Sequence, residues 1–216
     1  MKARVLALVY SLLLRLQLLL WRKEVRGLER LDELITARRP VLAVFWHGKY
    51  TPLFALLRGR RAVIFTSRSF RGDVIAGICR HFGYTPVQLE DHGRERSLEL
   101  MRSSLAGVLE TFPVCGIAVD GPLGPYHAVK RGPILLASEL GYKILPVTFA
   151  ARRSRIDEQR WDRFEVPSPF SRVVFLLGRA MEVPPGLRDT PEEVERWIAR
   201  VRDALEALDR EAESRL

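Results

Sequence analysis

The chain has 216 residues, 47% hydrophobic and 28% charged, a balance that excludes disordered and fibrous polymers and is enough for one substantial core. Its formal net charge is +9, and because residues 188–216 carry 6 basic against 9 acidic side chains, the remainder holds +12. Such an excess suits an anionic partner, whether nucleic acid, a phosphorylated small molecule or an anionic bilayer.

Residues 5–20, VLALVYSLLLRLQLLL, form an apolar run between Lys2 and Arg4 on one side and Trp21, Arg22 and Lys23 on the other. The run ends in Trp-Arg-Lys rather than in small residues, which argues against a cleaved signal. It falls short of the roughly 20 residues a span needs, and Arg15 and Gln17 interrupt it. An interfacial, membrane-associating helix over residues 1–23 is therefore expected, although a helix packed on a core can have the same composition.

Residues 24–216 then make one domain in which short apolar runs alternate with helical stretches, the pattern of an α/β sheet. VLAVFW (41–46), AVIFTS (62–67), YTPVQL (84–89), CGIAVD (115–120) and YKILPVTFAA (142–151) read as strands. Helices are expected over 51–57, from Asp73 to Gly83, over 98–109 with the stripe Leu98, Met101, Leu105, Val108 and Leu109, and over 133–140. RFEVP and RVVFLLGRAMEVP read as strands at the sheet edge. A closing helix has Thr190 as N-cap, Glu193 completing a capping box, and the stripe Val194, Trp197, Ile198, Val201, Leu205 and Leu208. Cys79 and Cys115 sit among apolar neighbours with no CxxC pair, which reads as buried, reduced thiols in a cytosol-facing protein.

Three constellations can carry chemistry. His47 follows a buried strand directly, a place favoured for active-site residues, and its ordinary ionisation near neutrality suits a general base. A helix cap is the plainer role for the same residue, and His81, His92 and His127 show how little one histidine decides. In TSRSFRGD, Ser67, Arg68 and Arg71 can hold a phosphate beside the helix that Asp73 opens, arginine being able to grip phosphate oxygens as a planar fork. A solvated turn capped by Asp73 is equally ordinary there. In DGPLGP, Asp120 ends a strand and a rigid loop of Gly121, Pro122, Leu123, Gly124 and Pro125 leads to Lys130. Glycine there lets a ligand approach the backbone, and proline limits the ordering left to do on binding. No Walker or GxGxxG pattern occurs, and aromatic residues are not interleaved with the cations as a nucleic-acid platform needs, so neither nucleotide nor nucleic acid is an expected partner.

The order WHG, SRxxxGD, a strand ending in DGPxGP, and a strand containing LPV resembles the lysophospholipid acyltransferase (glycerolphosphate acyltransferase-like) superfamily. The likeness is closest to a bacterial branch designated a domain of unknown function. WDRF (Trp161–Phe164), PFSR (Pro169–Arg172) and Gly178–Pro184 extend the likeness over about residues 24–185. The resemblance implies a mixed, mostly parallel sheet flanked by helices. It further implies acyl transfer from a thioester donor, acyl carrier protein or coenzyme A, to a hydroxyl of a lysophospholipid or related anionic lipid, with His47 as general base. No metal or redox cofactor is implied, and the setting is the cytoplasmic face of the bacterial inner membrane.

The chain departs from the superfamily where an acidic residue normally stands four positions after the histidine, since that place is Pro52. Asp73 or Asp120 is therefore expected to approach the His47 ring and act with it. Ser67, Arg68, Arg71, Gly121, Pro122, Gly124 and Lys130 are expected to bind substrate. The branch's loop arginine is Leu123 here, and residues 92–97 lack its Ser-Arg-Gly-Gly character. A non-catalytic lipid-binding protein on the same fold is the alternative.

Overall fold

Alternate residues of β2 (Val41–Phe45) face opposite sides of the sheet, and the strand is buried on both. Val41, Ala43 and Phe45 join one apolar cluster, while Leu42 and Val44 join another with Trp46 just beyond the strand. A strand apolar on every residue has to be central and covered by helices on both faces. The computed structural model describes residues 2–56, 58–89, 94–107 and 113–216.

In chain order the elements begin with α1 (Lys2–Leu20), β1 (Arg22–Arg26), α2 (Leu28–Thr36), β2, a 3₁₀ turn (His47–Lys49) and α3 (Tyr50–Leu56). There follow β3 (Ala62–Ser67), α4 (Phe70–His81), β4 (Thr85–Leu89), α5 (Arg94–Ala106), β5 (Val114–Ala118), α6 (Arg131–Leu140) and β6 (Lys143–Ala151). The last are β7 (Ser154–Asp157), β8 (Phe164–Pro167), β9 (Arg172–Leu177), β10 (Met181–Glu182) and α7 (Pro191–Ser214).

The main sheet has the order β1-β9-β6-β2-β5-β3-β4, with β10 also paired to β6. It is mixed and mostly parallel: β6, β2, β5, β3 and β4 run together, while β9 lies antiparallel to β6 and parallel to β1. This agrees with the α/β architecture expected from the alternating pattern. Two placements differ. RVVFLL forms β9 inside the sheet rather than at its edge, because β1, a polar segment that the hydrophobic pattern misses, pairs outside it. RFEVP forms β8, which pairs with β7 in a separate two-stranded arm.

Of the expected stripe, the closing helix buries Val194, Trp197, Val201, Leu205 and Leu208 and half-buries Ile198, but its capping box does not form. The Thr190 hydroxyl donates to the Leu187 carbonyl at 3.3 Å, and Glu193 pairs instead with Arg196. At α4 the helix starts three residues before Asp73, with Ser69 as the cap accepting from the Gly72 N–H at 3.0 Å. The expected stripe positions Val108 and Leu109, the end of the 51–57 helix at Leu57, and His92 lie outside the described residues.

α1 is long and apolar enough to cross a membrane, yet one side of it is docked on the domain. Ala7, Ser11, Leu14 and Leu18, spaced as one face of a helix, are buried, and Val5, Leu8, Val9, Leu12, Leu16 and Leu19 on the remaining surface are exposed. The approach to α4 is close because Gly77 has no side chain: a Cβ there would stand 2.5 Å from that of Ala7. Both Cys79 and Cys115 are buried free thiols, as their apolar neighbours imply.

Candidate functional site

Because β2, β5 and β3 are adjacent and parallel, the residues that follow them converge on one carboxyl edge of the sheet: His47 after β2, Asp120 after β5, and Ser67 to Arg71 at the end of β3. The arm of β7 and β8 reaches this edge from the side. Its connecting segment brings Asp162 to His47, where one carboxylate oxygen meets ring Nδ1 at 2.7 Å. That segment passes so near the 3₁₀ turn that a Cβ on Gly48 would fall 2.0 Å from the Asp162 carbonyl oxygen, which explains a glycine directly after the histidine.

Asp162 is buried and is gripped by Arg160 in a two-bond fork, Nε to one oxygen at 2.8 Å and Nη2 to the other at 2.7 Å. Burial by itself raises the carboxyl's ionisation, but the hydrogen bonds and positive charge of Arg160, aided by those of His47, outweigh it and hold Asp162 below the usual carboxylate range. An ionised carboxylate only accepts, so Nδ1 carries the proton between them, and in the neutral ring the lone pair is then on Nε2. The His47 side chain remains 24% exposed, and among the described residues no hydrogen bond engages Nε2. Trp161 and Tyr50 flank the ring at centroid distances of 5.1 and 5.6 Å. Chemically this is an oriented, accessible base whose cationic form has a counter-ion waiting.

The expectation that Asp73 or Asp120 approaches the ring is corrected. Asp120, fully buried, accepts the main-chain N–H of His47 at 2.7 Å and that of His127 at 3.3 Å, so it fixes the turn rather than the imidazole. Burial pushes its carboxyl upward against those two donors. Asp73 accepts from the Gln88 amide of β4 at 2.8 Å. Neither acts on the ring because the segment from Arg160 to Asp162 already occupies its Nδ1 side.

The DGPLGP loop also differs from expectation in what its glycines accommodate. A Cβ on Gly121 would lie 2.7 Å from His47 Cδ2, and one on Gly124 would lie 2.6 Å from the Trp161 ring, so the space serves the protein's own site rings. Pro122 and Leu123 are exposed at its tip. The Lys130 ammonium is turned inward onto the Gly124 carbonyl and closes the loop.

Of the cations expected to hold an anion, Arg71 adjoins Tyr50, which flanks the histidine. Tyr50, whose hydroxyl burial pushes upward, feels the opposing positive charges of Arg71 and Arg160, which places both beside the ring that flanks His47. Ser67 and Ser69 share a hydroxyl contact of 2.9 Å at the same strand end. The Arg68 main-chain N–H bonds the Leu89 carbonyl at 2.8 Å, tying the loop to β4.

A second polar group lies behind the histidine. Asp209 of α7 accepts from the Trp46 indole at 3.0 Å, the Lys49 ammonium at 2.8 Å and the Thr148 hydroxyl at 2.5 Å, thereby holding both flanks of His47. A cavity of ≈ 210 Å³ opens there, walled by Lys49, His127, Asp162, Arg163, Asp209 and Glu213. The His127 ring is sandwiched between Trp46 and Tyr126 at 4.1 and 3.9 Å, and burial pushes its ionisation down to about 4.

Neither Asp162, Arg160 nor Asp209 was among the residues singled out from sequence. The one sequence signal at Asp162 is its place inside WDRF, a segment shared with the resembled branch. No family model matches this chain, and no curated protein does.

Proposed function

We propose that the chain is an acyltransferase that moves a fatty acyl group from a thioester, carried by acyl carrier protein or coenzyme A, to a hydroxyl of a lysophospholipid or related anionic lipid. The observation that carries this reading is the paired His47 and Asp162 at the carboxyl edge of the sheet, with the imidazole partly exposed. The superfamily resemblance of the linked motifs supports the same chemistry, and Asp162 can do what an acidic residue at Pro52 would do elsewhere in that superfamily.

In the proposed reaction, Nε2 takes the proton of the acceptor hydroxyl as its oxygen bonds to the thioester carbonyl carbon. The tetrahedral adduct then expels the thiolate, which leaves as thiol with the proton returned from the imidazolium, while Asp162 stabilises the cation between the two steps. Ser67, Arg68 and Arg71 hold the anionic head group, and the exposed face of α1 keeps the protein on the cytoplasmic side of the bacterial inner membrane. The test is His47→Ala in the purified chain given acyl donor and a panel of lysolipids. Transfer should disappear; full retention sinks the mechanism, and saturable lysolipid binding with no turnover in the wild type supports a lipid-binding protein instead.

A further inference from the structure

Membrane attachment through α1 leaves open which way the site faces, and the packing of α1 answers it. Ala7 lies against Gly77, the Ser11 hydroxyl is 2.9 Å from His81 Nδ1, and Arg15 reaches the His81 carbonyl and covers the Phe82 ring. Residue numbers rise together along this contact, so α1 and α4 run in the same direction. At about 1.5 Å per residue, the start of α1 is then level with the start of α4 to within roughly one turn along the axis. That start carries Phe70, 58% exposed, directly beside Arg71. On the neighbouring strand end stands Leu123, 80% exposed, at the tip of the loop whose Gly121 backs onto the His47 ring.

We propose that the exposed face of α1, Phe70 and Leu123 form one docking surface for an anionic bilayer, which presses the mouth of the His47 site onto the membrane so that a lipid enters sideways from the leaflet. The proposal rests on a membrane lipid being the substrate, but its docking geometry does not depend on acyl transfer taking place. Apolar groups so exposed on neighbouring elements mark an interaction surface. Charge selects the occupant. Residues 1–23 contain Lys2, Arg4, Arg15, Arg22 and Lys23 and no acidic residue, and residues 67–72, where β3 ends and α4 begins, contain Arg68 and Arg71 and no acidic residue. A second copy of the chain would bring these cations against one another, whereas anionic head groups neutralise them.

Cys79 and Cys115 are buried, and burial pushes the Cys79 thiol to about 12, so a cysteine introduced on the surface is the one that reacts with dye. The full chain bearing Leu123→Cys, Phe70→Cys or Glu192→Cys is labelled with an environment-sensitive fluorophore and mixed with phosphatidylcholine vesicles, with or without phosphatidylglycerol. Glu192 opens α7, beyond β10 and the opposite, amino edge of the sheet, and serves as the water-facing control. Blue-shifted emission is expected at positions 70 and 123 on the anionic vesicles only, and none at 192. Unlabelled Leu123→Asp and Phe70→Asp, with unchanged circular dichroism and melting, should each lower vesicle partitioning about tenfold. A bound protein whose label at 123 stays in water overturns the proposal, as does failure to bind anionic vesicles or formation of a dimer in their place. Loss of the acyl-transfer reading leaves the fluorescence result intact, and an active transferase with an aqueous label at 123 overturns the docking surface alone.

Discussion

The imidazole of His47 is oriented by a carboxylate 115 residues further along the chain, and the three aspartates Asp162, Asp120 and Asp73 have three separable tasks. Asp162 bonds the ring, Asp120 bonds the main chain of the turn, and Asp73 bonds Gln88. Asp162→Asn leaves the shape intact but presents an amide that no longer stabilises imidazolium, so the proposed transfer rate should fall on the order of 10³-fold with little change in KM. Asp73→Asn should leave both rate and stability nearly unchanged; a loss comparable to that of Asp162→Asn would return Asp73 to the site. His127 gives a stability signature. With its ionisation pushed down to about 4 in the folded state, the unfolded chain binds a proton between about pH 6.5 and 4 that the folded chain refuses, so native stability falls with pH through that window. Urea unfolding from about pH 7 to about pH 5 should show a larger loss for wild type than for His127→Phe, which keeps the aromatic stack. Asp120, raised by burial, works in the opposite sense but is common to both proteins and cancels in the comparison.

At the scale of elements, α1 is both a packed helix and an apolar surface, and the boundary between the two runs along its length. Its docked face is legible in Ala7, Ser11, Leu14 and Leu18 at helical spacing once the partner is known. From sequence the run offers apolar residues all around and no way to say which face is covered. Gly77→Leu inserts a branched side chain where even a Cβ stands 2.5 Å from Ala7, so α1 should detach while the sheet survives. Trypsin cleavage after Arg15 should then be fast, with later sites still protected. The closing helix teaches the converse. Its apolar stripe was readable because burial follows the 3.6-residue period, whereas its capping box failed because Thr190 and Glu193 found nearer partners in Leu187 and Arg196.

For the whole molecule, α7 is more than a cover for the sheet. Asp209, near its end, reaches back 163 residues to Trp46 and 160 to Lys49, joining the last helix to the strand that carries the base. Lys49 and Asp209 keep only 13% and 11% of their side chains exposed, so removal of either leaves a charge with little water to compensate. Asp209→Ala should cost about 3–5 kcal/mol in urea unfolding, since the Trp46 indole loses its acceptor and Lys49 loses its counter-charge while keeping the Phe149 carbonyl, and Asp209→Asn should cost less. A cost near zero would mean that water replaces the carboxylate.

The α/β class, the order of the central elements, the buried cysteines, and the strand-end positions of His47, Ser67 and Asp120 follow from sequence alone. They do so because hydrophobic periodicity, glycine and proline punctuation, and a doubly apolar β2 are local properties that survive without knowledge of partners. The partner of the histidine ring does not follow. Asp162 lies in a polar connection with no periodicity, and only the folding of β7 onto β8, together with the absence of a side chain at Gly48, brings it within 2.7 Å. The place of β9 inside the sheet, the covered face of α1 and the reach of Asp209 share this origin. Each depends on which surface a distant segment comes to occupy, and that is settled by packing across the chain rather than by any residue's neighbours in sequence.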